Sequence, residues 1–172
     1  KKYKKDTDWA NSMLDNMTQN AKKSGLEFNF DKSILANSLN AHRLMHLAKK
    51  HKLANELKEL LFKAYLTDGK DLNDFETLKT LALEVGLQND EIEAVLNSDL
   101  YKEEVLNDQK EAEAIGINGV PFYIFDYKYA ISGAQPVETF LRTIQKTWDE
   151  GNFDTKVKII NTMVTGKLQQ HG

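Results

Sequence analysis

His42 and His46 stand four residues apart, so on a helix both imidazoles share a face and can reach one ion, and His51 follows shortly after. No Glu follows either His as a zincin motif demands, and the chain has no Cys, so no metal and no other cofactor is expected. The missing cysteines also remove thiolate nucleophiles, disulfides and Cys-ligated zinc from consideration. Ser, His and Asp are all present, yet no Gly-x-Ser-x-Gly elbow displays a nucleophile. The glycines fall at helix ends and around one hairpin, not in a loop that cradles phosphate. Val120-Pro121 precedes an apolar run, and on residue types alone it reads as a proline opening an edge strand.

These residues hang on a pattern that is helical over the first two-thirds. Trp9, Met13, Met17 and Ala21 recur every four residues and Gly25 stops the run. Ser38 is expected to cap a helix that buries Leu39, Leu44 and Leu47 and reaches about Lys50, placing His42, Arg43 and His46 on it. Leu53, Leu57, Leu60, Leu61 and Ala64 mark the next stripe, ending near Gly69. Asn73 and Glu76 resemble a capping box ahead of Leu78, Leu81, Ala82 and Val85, with Gly86 as the stop. A short helix holds Ile92, Val95 and Leu96. A longer one runs from about Asp99 through Val105 and Ala112 to Ile115, with Gly116 after it.

The period then changes from 3.6 to 2. Phe122 to Phe125 and Tyr129 to Ile131 read as a β-hairpin across Asp126, Tyr127 and Lys128. Gln135-Pro136 opens a last amphipathic helix carrying Val137, Phe140, Leu141, Ile144 and Trp148 on one face. Phe122 to Phe125 is apolar on both faces, which suits a central strand, so its far side needs a partner. Three are available. A second copy would make a homodimer through the unpaired sheet edge. A local segment could substitute, either Leu26 to Phe30 or a tail strand of Val157, Ile159 and Ile160. Residues upstream of Lys1 are the third.

Bulk properties narrow the classes. The hydrophobic share of 41% and charged share of 28% suit a globular protein. With net charge −3 and the two signs interspersed, no basic face points to nucleic acid or an anionic membrane. No window approaches the roughly 18 apolar residues of a membrane span. The charged start, Lys1 to Asp8, has no apolar stretch behind it, so it reads as no signal peptide and favours the cytoplasm. The chain opens on Lys without an initiator Met, which suggests that upstream residues are missing.

Gly116-Ile117-Asn118-Gly119-Val120-Pro121-Phe122, then a hairpin, then Ser132-Gly133-Ala134-Gln135-Pro136, resembles the closing half of the DsbA family. The nearest branch is FrnE-like, related to 2-hydroxychromene-2-carboxylate isomerases. Asn37-Ser38 with Ala41-His42-Arg43-Leu44 resembles that branch's helical signature, as do Phe62-Lys63-Ala64-Tyr65, Leu81-Ala82 and Val85-Gly86-Leu87. The resemblance covers residues 9–148. It implies an α/β fold, a partial thioredoxin-like (DsbA-like) domain with a large all-helical insertion. Residues 1–115 would be mainly helical, 116–150 the cis-proline loop, hairpin and helix, and 151–172 a tail.

The family begins with a strand, a helix carrying Cys-x-x-Cys and a second strand, and none of these is here. Its chemistry is thiol–disulfide exchange on proteins, which no residue of this chain can perform alone. The resemblance implies that Gly119, Val120 and Pro121, with Val120–Pro121 cis, border the substrate groove, and that Gln135 adjoins it. His42 and Arg43 are candidates for substrate contact or, more simply, for bridging helices. Relatives that use glutathione carry a small hydroxyl residue and Asp where this chain has Ala134 and Gln135, which disfavours a glutathione-dependent isomerase or transferase. A non-enzymatic binding module is the third reading. The expected partner is a protein bearing thiols or disulfides, or a small thiol. Relatives often have Gly where Tyr127 stands, and a bulky residue is disfavoured at positive φ, so a different turn type is expected.

Overall fold

The computed structural model describes residues 7–150 and the strand Val157–Ile160. The expected assignments for residues 1–6 and for the rest of the tail lie outside the described residues. The chain divides into two compact units, residues 1–105 and 106–172. The boundary between them falls inside a helix, residues 102–114.

The first unit holds α1 (Thr7–Lys23), α2 (Leu39–Lys50), α3 (Ala54–Leu66), α4 (Phe75–Glu84), α5 (Asn89–Leu96) and the start of α6 (Lys102–Ala114). α2 is its axis and packs against α3, α4 and α5. Leu44, Leu47, Leu57, Leu61, Leu78, Ile92 and Val95 are wholly buried between these helices. Each contributes on the order of 1.5–3 kcal/mol by leaving water. These are the residues the 3.6-residue period selects.

Both expected caps differ in detail. Ser38 is the N-cap residue of α2, but its hydroxyl makes no cap bond. The neighbouring Asn37 Oδ1 accepts from the Leu39 amide at 3.0 Å instead. On α4 the cap is Asp74, one residue after Asn73, and its carboxylate accepts from the Thr77 amide at 2.9 Å and the Thr77 hydroxyl at 2.8 Å. Asn73 is spent elsewhere: Oδ1 accepts from the Asn37 amide at 2.8 Å, and Nδ2 donates to the Leu35 carbonyl at 3.2 Å. A long-range contact won over the local one, since one side chain cannot serve both.

The second unit holds the rest of α6, β1 (Phe122–Phe125), β2 (Tyr129–Ser132), α7 (Val137–Glu150) and β3 (Val157–Ile160). Gly116, at φ +78, closes α6, and the Ile117 amide donates back to Ala112 at 2.9 Å. The sheet runs β2-β1-β3, with β1 antiparallel to both neighbours. Phe122 pairs with Ser132 on one side and Ile160 on the other. Of the three partners weighed for the far edge of β1, the tail strand is the one present, so an open β1 edge no longer argues for a homodimer.

Two further expectations are corrected here. Asp126 and Tyr127 both take positive φ, +50 and +54, and the Lys128 amide donates to Phe125 O at 3.1 Å. That is the mirror-image turn whose twist matches a hairpin, so Tyr127 adopts the conformation thought closed to it. On α7, Phe140 meets Tyr123 edge-on at 4.8 Å and Thr147 is buried. Val137 (67%), Leu141 (61%), Ile144 (46%) and Trp148 (58%) are instead exposed. The hairpin is covered by the Phe140–Thr147 side of α7, not by its most apolar stripe.

Candidate functional site

The loop that joins α6 to β1 is built from Gly119, Val120 and Pro121. The Val120–Pro121 peptide bond is cis. Pro121 O accepts from the Gly133 amide at 2.8 Å, which ties the loop to the end of β2. Gly133 has φ +80, a conformation that a side chain would strain. Gln135 Nε2 donates to Ser132 O at 2.9 Å and braces the same corner. A Cβ on Gly119 would meet nothing within 4 Å, so this stretch of backbone is open. Among the described residues, neither Gly119 nor Val120 has a backbone hydrogen-bond partner. Exposed main-chain donors and acceptors must be satisfied by water or by a ligand.

His42 and Arg43 lie in the first unit. Arg43 is buried, with 4% of its surface exposed. Its Nε donates to Leu100 O at 2.8 Å, Nη1 to Asn40 Oδ1 at 2.8 Å, and Nη2 to the carbonyls of Val95 and Ser98. Burial pushes the guanidinium below its ordinary range, and the Asp99 carboxylate works against that. The fork thus satisfies carbonyls at the C-terminal end of α5, a task only a multi-donor cation can do. His42 Nδ1 lies 2.8 Å from Ser38 O, within its own helix. Arg43 thus links α2 to the end of α5, while the His42 contact with Ser38 stays within α2 and its N-cap.

His46 and His51 have separate partners. His46 stacks on Tyr101 with ring centroids 6.1 Å apart. His51 Nε2 sits 2.9 Å from Glu91 Oε2, while Lys50 Nζ meets Oε1 at 3.2 Å. The Lys50 hydrogen bond, supported by His51, holds the Glu91 carboxyl below its ordinary range. Asn73, read from the sequence as a helix cap, holds residues 35 and 37 instead, and nothing local signals partners more than thirty residues away.

A family model, the DSBA-like thioredoxin domain, matches residues 4–145. The chain belongs to that family. The crystal structure of a probable DsbA oxidoreductase from Streptomyces coelicolor is 32% identical to it, with a TM-score of 0.81. The match covers 96% of this chain and 70% of that one. No protein of curated function matches. The DsbA-like fold is therefore present here, built on seven helices and a small sheet among the described residues. No described helix is long and apolar enough to cross a membrane.

Proposed function

We propose that this chain is the thiol-free portion of a protein-disulfide oxidoreductase of the DsbA type. The loop at Gly119, Val120 and Pro121 grips an extended protein substrate, and a cysteine pair outside this sequence performs the exchange. The observation that carries the reading is the open backbone of Gly119 and Val120 in a family that acts on thiols and disulfides. An extended peptide pairs with such a main chain as one strand adds to another. Gln135 offers Oε1 at the edge of the same corner, its Nε2 being engaged by Ser132. By itself the chain is redox-inert, because thiol–disulfide exchange needs a thiolate and the sequence has none.

Amide NMR on the full chain, titrated with an extended cysteine-containing peptide, should shift Gly119, Val120 and Gln135. Shifts produced by S-methylglutathione and not by the peptide would replace this reading with a glutathione-dependent isomerase. No response to either would leave a module that binds something else. Insulin reduction by the purified chain should equal the blank. A Cys-x-x-Cys encoded upstream of Lys1 is the matching genetic observation, and its absence there would overturn the proposal.

A further inference from the structure

Asn118-Gly119 is the only Asn–Gly pair in the sequence. Both residues are exposed and lie in the irregular stretch between α6 and β1. We infer that Asn118 is a site of spontaneous deamidation and backbone isomerisation. The Gly119 nitrogen attacks Cγ of the Asn118 side chain, a C–N bond forms and ammonia leaves, giving a five-membered succinimide. Water then opens the ring. Attack at Cγ gives Asp, while attack at the backbone carbonyl carbon gives isoaspartate, whose main chain runs through the side chain. No oxidant or reductant is needed, and each chain releases one ammonia.

Three observations favour this position. Glycine presents no Cβ to block approach to its own nitrogen, and a Cβ placed on Gly119 would meet no non-neighbouring atom within 4 Å. The Gly119 amide has no hydrogen-bond partner among the described residues, so no ladder or helix bond must break first. The leaving nitrogen, Nδ2, donates only to Gly116 O, at 3.1 Å.

The competing pairs are restrained, Asn97-Ser98 among them: the Asn97 amide donates to Glu93 O at 2.9 Å and the Ser98 hydroxyl to Ala94 O at 2.6 Å. Asn11-Ser12 lies inside α1. Asn37 is held at both ends, its amide on Asn73 and its Oδ1 on the Leu39 amide. Asp68-Gly69 could close the same ring, but Gly69 is wedged against Lys32, whose Cβ lies 2.6 Å from where a Cβ on the glycine would stand. Either product adds a negative charge immediately before Gly119 and Val120.

The test is ageing of the purified full chain in mildly alkaline buffer at physiological temperature. It is followed by isoaspartyl methyltransferase labelling and peptide mapping. Label should accumulate at residue 118 and rise with pH, since the attacking amide must lose its proton. It should vanish in Asn118→Gln and fall strongly in Gly119→Ala. Label that maps to Asp68 or Asn37, or a wild-type signal no higher than that of Asn118→Gln after prolonged ageing, overturns the inference.

Discussion

The helical unit and the hairpin unit use apolar residues in different ways. In the first, α2 packs against α3, α4 and α5, and Leu44, Leu47 and Ala48 are buried with almost no exposure, as are Leu57 and Leu61 of α3, Leu78 of α4, and Ile92 and Val95 of α5. In the second, α7 has the cleanest apolar stripe among the described helices, yet Val137 and Leu141 are more than half exposed and Ile144 nearly so. What meets the hairpin is Phe140 against Tyr123, Lys146 over the Tyr129 ring, and Glu150, which accepts from the Tyr129 hydroxyl at 2.5 Å, while Thr147 is buried. Periodicity states which face of a helix prefers cover. It does not state whether cover is at hand.

The contrast is sharpest in paired truncations. Leu44→Ala should cost about 3–5 kcal/mol, the range for emptying a sealed core site. Leu141→Ala should change stability by less than about 0.5 kcal/mol, as exposed positions do. Hydrogen exchange resolved by unit measures both, and a cost for Leu141→Ala comparable to that for Leu44→Ala would break the comparison. Next in size is Arg43→Ala, expected to cost about 3 kcal/mol because the Val95, Ser98 and Leu100 carbonyls lose their donor. Arg43→Lys should recover only part of it, since a single ammonium cannot span the fork. Urea unfolding would decide this; full recovery by Lys would mean that charge, not geometry, is what matters.

In the hairpin unit the sign reverses. Tyr127→Gly should stabilise by about 0.5–1 kcal/mol, the relief of a left-handed residue less glycine's extra freedom when unfolded. Thermal melts would test it, and destabilisation would show that the Tyr127 ring has a packing role.

The smallest expected effect is on acid sensitivity. The Thr77 hydroxyl and amide hold the Asp74 carboxyl below its ordinary range, and Lys50 and His51 do so for Glu91. A lowered folded-state pKa gives stability that is complete above the unfolded value and is lost as pH falls through the folded one. The helical unit should therefore weaken below the ordinary carboxylate range. Asp74→Asn, which still caps, should flatten that loss slightly in acid titrations followed by circular dichroism. An unchanged acid slope would remove Asp74 from the account.

The sequence by itself determined which segments are helices and which a hairpin, because periodicity, glycine stops and the switch to alternation are local properties of the chain. It determined the core of the helical unit for the same reason: Leu44, Leu57, Leu61, Leu78 and Ile92 all stand on predicted stripes. It marked the loop at Gly119, Val120 and Pro121 through a resemblance, not through its chemistry. Tertiary structure alone decided the partners. Arg43 could have faced substrate or helix ends, and its direction depends on carbonyls at Val95, Ser98 and Leu100, more than fifty residues on. Asn73 abandoned a local cap for residues 35 and 37, and β3 took the β1 edge for which Leu26 to Phe30 was the competing local candidate. A hydrogen bond between distant residues leaves no periodic mark in the chain, because each partner is specified by position in space and not by spacing in sequence.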